Sequence, residues 1–309
     1  MSLSKTLGES VSFLQSLAKR RSNLYRHVPQ IKKDGSARHT YDAYLPLKRV
    51  QRRIVDRLLA KVIFPSYLHG GIRDVIKRRS IYSNASLHGM AKHLVLQDIK
   101  DFYPSISISH VRIIFEKLFG FSPEVSQLLA ELTTYNETVP QGASSSSYLA
   151  NLVFWDLEPA LVVRFRAMNL SYSRFADDIT ISSLQPISNT QITQIVSMVT
   201  NMLAQKGCYQ KRTKLHIRKR GQTVQENNEF GPLTVTGLTV FNSTPGIPKK
   251  ERKAIRAAVK QLEDKACSGE ALEVLEPMMR KVMGRVGRLI ACDHPDGEKF
   301  KQRIQAIRS

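Results

Sequence analysis

The pattern of apolar and polar positions predicts a chain built mainly of helices, with a few short strands among them. Apolar residues recur at helical spacing over 3–22, 45–63, 107–119, 122–134, 146–167, 189–206 and from 249 onward. Breaks near Gly269 and Pro295 should divide the last stretch into shorter helices.

The strands are short, and two pairs of them are joined by tight turns. Residues 92–99 form an apolar run that ends in acid, and 208–218 and 233–242 also read as strands. The Asp-Gly pair at 34–35 predicts the turn of one hairpin, and residues 171–183 predict a second hairpin. We therefore expect an α+β fold with an antiparallel sheet backed by helices.

Composition adds a strong positive charge to this picture. Lys and Arg outnumber Asp and Glu by 47 to 26 in 309 residues, which gives a formal net charge of +21. A polyanion usually offsets such charge, and nucleic acid explains it better than an anionic membrane surface. The sequence has no long apolar run, no secretory signal pattern and no metal or disulfide spacing among its three cysteines. These features predict a reduced, cytoplasmic protein without a membrane partner.

Two adjacent acids in the segment YSRFADDITIS, Asp177 and Asp178, give the first indication of chemistry. Asp is tolerated at a turn and disfavoured in a strand, so the pair should lie at the tip of the hairpin, where it could simply form the turn. Asp98, however, ends the strand at 92–99. If the two strand ends are neighbours, three crowded carboxylates need cations to stay ionised. Oxygen ligands favour Mg²⁺, and two ions roughly 3.5–4 Å apart support phosphoryl transfer.

A third segment, VPQGASSSSYLANLVF at 139–154, places a Gly/Ser-rich loop before a helix. Such a loop lets the backbone approach a nucleotide closely. An ordinary loop whose serine caps the following helix would have the same sequence pattern. In this order, the segments LQDIKDFYPSI, PQGA with LAN, and RFADD resemble the palm motifs of reverse transcriptases. NASLH before them and VTG after them resemble the marker motifs of the retron reverse transcriptases.

The resemblance implies a right-hand polymerase, with fingers and palm followed by a helical thumb. The boundaries it suggests are fingers and palm over 1–245, fingers at about 20–91 and 116–138, palm at about 92–115 and 139–245, and thumb over 246–309. It also implies that Asp98, Asp177 and Asp178 are catalytic and bind two Mg²⁺ ions, with Mn²⁺ as a possible substitute, and that Ile99 joins the metal ligands.

Nucleotide-binding residues follow from the same resemblance. They are Arg38, Lys33, Tyr103, Gln141, Gly142 and Phe175. Tyr103 would exclude a ribose 2′-OH, but core packing also explains an aromatic ring there. Arg38 would grip the triphosphate of a dNTP, whereas a solvated hairpin charge is the plain alternative for it and for Lys33. Phe175 stands where the family usually has tyrosine.

RNA-binding residues are expected in the two marker motifs and in the basic helical tail. They are Asn84, His88, Val235, Thr236, Gly237, Lys253 and Arg256. His88 could equally buttress a helix. The basic segment after 206 resembles a fourth palm motif, in which either Lys211 or Arg212 would be the functional cation.

The resemblance implies an RNA-directed DNA polymerase that copies its cognate noncoding RNA with dNTPs. Synthesis would start from a guanosine 2′-OH and give a branched RNA–DNA hybrid, called multicopy single-stranded DNA, with a separate effector protein in antiphage defence. Two alternatives remain at this point. One is an abortive-infection reverse transcriptase that polymerises without a template, and the other is a non-catalytic RNA-binding scaffold.

Overall fold

Helices and strands alternate along the part of the chain that the structure, a computed structural model, describes: residues 2–31, 35–74, 78–221, 224–226 and 229–308. The helices are α1 Leu3–Leu7, α2 Val11–Lys19, α3 Leu45–Arg57, α4 Ile81–Ser86, α5 Phe102–Ser105, α6 Ile108–Ile113, α7 Pro123–Thr133, α8 Ser146–Leu152, α9 Glu158–Ala167, α10 Asn189–Ala204, α11 Lys249–Cys267, α12 Leu272–Ala291 and α13 Asp296–Gln305. The strands are β1 Tyr25–Ile31, β2 Ala37–Ala43, β3 Leu68–His69, β4 His93–Asp98, β5 Leu170–Phe175, β6 Asp178–Ser183, β7 His216–Lys219, β8 Val224–Glu226, β9 Glu229–Gly231, β10 Thr234–Val235 and β11 Leu238–Thr239.

This mixture confirms the predicted α+β composition, but two of the predicted helices are interrupted. The stretch 3–22 breaks at Gly8, whose φ of 65° ends α1, and Ser10 then caps α2 by accepting the Phe13 N–H over 3.2 Å. The stretch 146–167 divides into α8 and α9, and Pro159 lies in the first turn of α9. Proline is favoured there because the first helical N–H groups have no partner within the helix.

The central sheet has five strands in the order β3-β5-β6-β4-β7. We expected an antiparallel sheet, whereas β3 pairs with β5 in parallel, His69 opposite Phe175. The helix α9 covers β5, and the rings of Phe165 and Tyr172 stack with centroids 5.8 Å apart. Separate two-stranded ladders form from β1 with β2, β8 with β9, and β10 with β11.

The chain divides into two compact units. The first comprises residues 1–79, 95–180 and 187–216, and the second comprises 80–94, 181–186 and 217–309. Within the second unit, α11, α12 and α13 pack together through buried apolar residues such as Val259, Val282 and Phe300. Gly269, with a φ of 82°, follows α11, and Pro295 precedes α13, so both predicted breaks are confirmed. The limits of fingers, palm and thumb stay a prediction.

None of the described helices is both long enough and apolar enough to pass through a bilayer.

Candidate active site

Three acids that are far apart in the chain meet at the ends of neighbouring strands in the first unit. Asp98 is the last residue of β4, Asp177 lies in the short turn after β5, and Asp178 opens β6. The Ile99 N–H donates to the Asp177 carbonyl oxygen over 3.0 Å, which joins the end of β4 to this turn. The carboxyl groups of Asp98 and Asp178 are within hydrogen-bonding reach of each other. We call residues 176–178 the acidic turn.

Burial, and then the neighbouring acids, disfavour the charged forms of Asp177 and Asp178. Asp98 is only 5% exposed. Desolvation raises the pKa of Asp177, and the charge of Asp98 raises it further. Asp178 is exposed by surface area, yet desolvation is still the largest cause that raises its pKa to about 7, ahead of the charges of Asp177 and Asp98. Added positive charge would therefore favour the ionised forms of Asp177 and Asp178.

Lys214 supplies part of that positive charge. Its Nζ is 2.5 Å from Oδ1 of Asp98, and its side chain is 48% exposed. Desolvation lowers the pKa of Lys214, but the hydrogen bond and charge of Asp98 outweigh this effect, so the pKa is raised. We expected Lys211 or Arg212 to be the functional cation of a fourth palm motif, without assigning it a contact with Asp98. The 3₁₀ turn Arg212–Lys214 brings Lys214 to the acid instead, while Lys211 donates its backbone N–H to the Asp98 carbonyl oxygen over 2.8 Å.

The donor chemistry of the cluster fits a hard divalent cation. Carboxylate oxygens are the ligands that Mg²⁺ prefers, and the raised pKa values of Asp177 and Asp178 indicate that burial and neighbouring acids outweigh the positive charge of Lys214. Ile99 can contribute only its carbonyl oxygen, because its side chain is a hydrocarbon without a donor atom. In the described part of the chain, no trio of acidic, histidine or cysteine side chains is already arranged around one point as an ion site.

The β1–β2 hairpin contributes Arg38 and a backbone contact. Arg38 is exposed on β2, and its charge opposes the larger effect of desolvation on the pKa of Asp177. The Tyr41 N–H donates to the Gln141 carbonyl oxygen over 2.7 Å. Gly142 has a φ of 108°, and a Cβ at that position would lie 2.9 Å from the Tyr41 carbonyl oxygen. Glycine is therefore required where the Gln141–Gly142 loop passes β2.

Lys33, which we predicted to assist Arg38, lies outside the described residues.

The two aromatic residues of the predicted nucleotide site are only partly buried. The Tyr103 hydroxyl is 3.5 Å from Oγ of Ser147. Phe175 packs against Gly70, since a Cβ on Gly70 would lie 3.1 Å from two carbons of the Phe175 ring. Neither ring is enclosed in the core, so both retain a face that can contact a ligand.

The two marker motifs pack against each other within the second unit. Nδ2 of Asn84 is 3.5 Å from Oγ1 of Thr236, and that hydroxyl donates to the Ile81 carbonyl oxygen over 3.1 Å. Nδ1 of His88 is 2.7 Å from Oγ of Ser182. Thr236 and Gly237 have φ angles of 47° and 76°, which suit the two-residue turn between β10 and β11.

Burial changes the expected role of these motifs. Asn84, His88 and Val235 are each 1% exposed, so their side chains have no surface to offer an RNA. Direct contact of these three side chains with RNA stays a prediction, and the hydrogen bond between His88 and Ser182 agrees with the alternative that His88 buttresses a helix. Gly237 remains exposed and Thr236 is half-buried.

The predicted basic residues of α11 are on its surface. Lys253 is exposed, and Arg256 is 67% exposed while its Nη2 lies 2.8 Å from Oδ2 of Asp296. Both side chains can reach a phosphate, but Arg256 would exchange an existing ion pair for it.

Sequence reasoning missed the residues that hold the acidic turn from beneath. Arg174 is 0% exposed and forms two hydrogen bonds with Glu158, which is 1% exposed. The Tyr172 hydroxyl donates to Oε1 of the same carboxylate over 2.6 Å. Arg174 and Tyr172 alternate with Ser173 along β5 and so point to one face, a signal that could have suggested a shared buried partner.

Comparison with known proteins agrees with this geometry. A family model described as reverse transcriptase (RNA-dependent DNA polymerase) matches residues 31–237, and domains of this kind generally use divalent metal ions. The retron Se72 reverse transcriptase of Salmonella heidelberg is 33% identical over 99% of this chain and 78% of its own length. The retron Ec48 reverse transcriptase of Escherichia coli is 32% identical over 99% of this chain and 75% of its own length.

Among solved structures, telomerase from Candida albicans, with a fragment of telomeric RNA, is 12% identical and covers 70% of this chain and 40% of its own, with a TM-score of 0.40. That likeness is too distant to add to the argument. The family match spans more than half of the chain, and the two retron enzymes match along nearly all of it. The chain therefore belongs to the retron reverse transcriptases and is an RNA-directed DNA polymerase with the right-hand polymerase fold.

Proposed function

We propose that this polymerase copies its own folded noncoding RNA into DNA, beginning from the 2′-OH of a guanosine in that RNA. The product is a branched RNA–DNA hybrid, multicopy single-stranded DNA. The observation that carries the catalytic part is the meeting of Asp98, Asp177 and Asp178 at adjacent strand ends. The retron part is supported by the similarity to retron enzymes over nearly the whole chain.

The acids are proposed to hold two Mg²⁺ ions, with Mn²⁺ as a substitute. Asp98 and Asp177 would be the principal ligands, and Asp178 and the Ile99 carbonyl would complete the site. When bound, the metal ions neutralise phosphate charge and favour ionisation of the priming hydroxyl. The raised pKa values of Asp177 and Asp178 support this assignment, because such carboxyl groups gain most from added positive charge.

The remaining residues would position the dNTP for attack. Arg38 suits bidentate contact with the triphosphate, and Gln141 and Gly142 offer backbone on a loop tied to β2. Tyr103 would lie beneath the sugar and disfavour ribonucleotides, and Phe175 would contact the primer end. The priming oxygen then bonds to the α-phosphorus, the bond to the bridging oxygen breaks, and pyrophosphate leaves while the hydroxyl proton passes to solvent.

RNA selection is proposed to reside in the second unit. Lys253 and Arg256 on α11 would contact phosphates, and the exposed turn at Thr236 and Gly237 would touch the RNA directly. Asn84, His88 and Val235 would act indirectly, by fixing that turn and the helix α4. The protein would work in the cytoplasm, with a separate effector protein, in defence against phage.

The test is to purify the protein with its bound nucleic acid and sequence it. We expect one structured RNA joined through a 2′–5′ linkage to DNA complementary to part of it. The Asp177→Asn, Asp178→Asn double variant, which keeps the size of both side chains, should retain the RNA and lack the DNA. DNA of random sequence would instead indicate untemplated synthesis, and unchanged DNA in the double variant would overturn the catalytic assignment.

A further inference from the structure

A fully buried guanidinium lies directly beneath the acidic turn. Arg174 donates from Nη1 to the carbonyl oxygen of Ala176 over 3.2 Å, the residue before Asp177. Its Nε and Nη2 bind the two carboxylate oxygens of Glu158 over 2.7 and 2.8 Å. Nη2 also donates to the Asn151 carbonyl oxygen over 3.1 Å. We call Arg174, Glu158, Tyr172 and Asn151 the buried arginine network.

Stability does not explain why the chain keeps this ion pair. Arg174 and Glu158 are 0% and 1% exposed, and burying two charges costs several kcal/mol per ion before their attraction offsets it. Well-packed apolar residues of similar volume often serve a fold as well or better. Burial lowers the pKa of Arg174, but the charge and hydrogen bonds of Glu158 raise it by more than burial lowers it. The guanidinium therefore stays charged. A charged pair that is kept here at such a cost suggests that it positions neighbouring groups.

The acidic turn is a segment that needs positioning. Ala176 has a φ of 54°, a left-handed conformation that is disfavoured for a residue with a Cβ. Two backbone–backbone hydrogen bonds and one from a side chain oppose relaxation of the turn. The Ala176 N–H donates to the His69 carbonyl oxygen over 3.0 Å, the Asp177 carbonyl accepts from Ile99, and the Ala176 carbonyl accepts from Arg174.

The same network reaches the loop that abuts the turn on its other side. Nδ2 of Asn151 donates to the Gly70 carbonyl oxygen over 2.9 Å and to the Ser147 carbonyl oxygen over 2.8 Å. A Cβ on Gly70 would lie 3.0 Å from the Ala176 nitrogen. Arg174 therefore joins the turn to α8 directly and, through Asn151, to the backbone after β3.

We propose that Arg174 is a positioning residue for catalysis, which fixes the carboxylates of Asp177 and Asp178 by holding the Ala176 carbonyl, with Glu158 and Tyr172 keeping its guanidinium in place. The inference rests on the proposed catalytic role of Asp177. Arg174 acts on the reaction only through the turn and does not touch the substrate.

The decisive variant removes the network without leaving a buried charge or hydroxyl alone. We would combine Arg174→Met, Glu158→Leu and Tyr172→Phe in the full chain and measure single-turnover dNTP incorporation on a defined RNA template with a DNA primer. We expect a folded protein whose maximal rate falls about 10²-fold, because a displacement of about 1 Å in catalytic groups has that effect. The KM for dNTP should change less than about threefold, since Arg38 and the Gln141–Gly142 loop are untouched.

Two further variants separate positioning from folding. Arg174→Lys keeps the charge and can pair with Glu158, but it lacks the fork that reaches Ala176 and Asn151, so we expect a fall in rate of about tenfold. Tyr172→Phe keeps that fork and loses only the hydroxyl bond to Glu158, so its rate should fall less than that of Arg174→Lys. A folded triple variant with the wild-type rate would overturn the proposal, and if the triple variant does not fold, a wild-type rate in Arg174→Lys would overturn it.

Asp177→Asn is measured in parallel because the inference depends on the role of that residue. If Asp177→Asn is active, the catalytic assignment itself fails. If Asp177→Asn is inactive and the Arg174 variants keep the wild-type rate, only the positioning role fails.

Discussion

Charged side chains have opposite environments at the acidic turn and in the C-terminal helices α11–α13. Beneath the turn, Arg174 and Glu158 are fully buried and each has several fixed partners. On the helices, cations such as Arg256 are largely exposed and have single carboxylate partners. Buried charges of the first kind can hold a geometry, whereas exposed charges of the second kind remain available to a polyanion. The number of charged residues in a region therefore does not indicate whether those charges hold a geometry or bind a polyanion.

The largest effect should come from removing one acid of the cluster. Asp98→Asn keeps the size of the side chain but loses a full charge, and metal-assisted transfer then loses several kcal/mol of transition-state stabilisation. We expect the single-turnover rate of dNTP incorporation to fall at least about 10³-fold, and the protein to remain folded.

Asp101→Asn is the matched control for that variant. Asp101 lies three residues further on, is exposed and has a φ of 44°, a conformation that Asn tolerates. Its variant should keep the wild-type rate. Equal losses at the two positions would show that general charge, and no specific site, governs the rate.

A second effect should come from the loop beside β2. Gly142→Ala places a Cβ 2.9 Å from the Tyr41 carbonyl oxygen, so the loop or the strand must move. We expect the rate to fall about tenfold or more and the free energy of unfolding to fall at least about 2 kcal/mol. Gly120→Ala is the control, because Gly120 also has a positive φ, of 70°, but among the described residues no atom beyond its chain neighbours lies within 4 Å of an added Cβ. It should lose only about 1 kcal/mol, with no change in rate.

The cation at the cluster gives a third and smaller effect. Lys214→Met removes the ammonium group that lies 2.5 Å from Asp98 and would compete with a metal ion for that carboxylate. We expect the half-saturating Mg²⁺ concentration for primer extension to fall several-fold and the maximal rate to fall about tenfold. Arg212→Met, an exposed cation of the same 3₁₀ turn, should leave both quantities unchanged. The same shift in both variants would mean that Lys214 has no special relation to the acids.

The smallest effects should be those of the exposed cations on α11. Lys253→Ala and Arg256→Ala should each change the free energy of unfolding by less than about 1 kcal/mol. If they contact phosphates, each should lower the slope of log affinity against log salt by about one when RNA binding is measured by filter retention. Lys260→Ala removes an exposed cation one turn after Arg256 on α11, and its salt slope is measured for comparison. A slope that stays at the wild-type value in all three variants would remove α11 from the RNA contact.

Much of the first unit could be predicted because its chemistry depends on where strands end. The apolar run that ends in Asp98 predicts β4, and the turn that carries Asp177 predicts the hairpin of β5 and β6. Because these strands are neighbours in the sheet, the acids at their ends lie close together. A role for Gly142 could be predicted from its motif. The structural reason for a glycine there, its close approach to β2, could not be predicted because it depends on a contact between distant segments.

Other features could not be predicted because they depend on packing. The polar residues Asn84 and His88 suggested a surface motif, yet both are buried, with Nδ2 of Asn84 close to Oγ1 of Thr236 and Nδ1 of His88 close to Oγ of Ser182. The alternation of Tyr172 and Arg174 in β5 hints at a shared buried partner, but that partner, Glu158, belongs to a helix whose start was hidden in one long helical pattern. Lys214 was passed over for its neighbours because one 3₁₀ turn decides which cation faces Asp98.

The most direct test of the account locates the metal ions themselves. Crystals of the full chain soaked with Mn²⁺ and a non-hydrolysable dNTP analogue would be measured for anomalous scattering from manganese. We expect manganese to be bound by the carboxylates of Asp98 and Asp177, with Lys214 displaced from Asp98. Ordered manganese on another surface, with Lys214 still paired to Asp98, would contradict it.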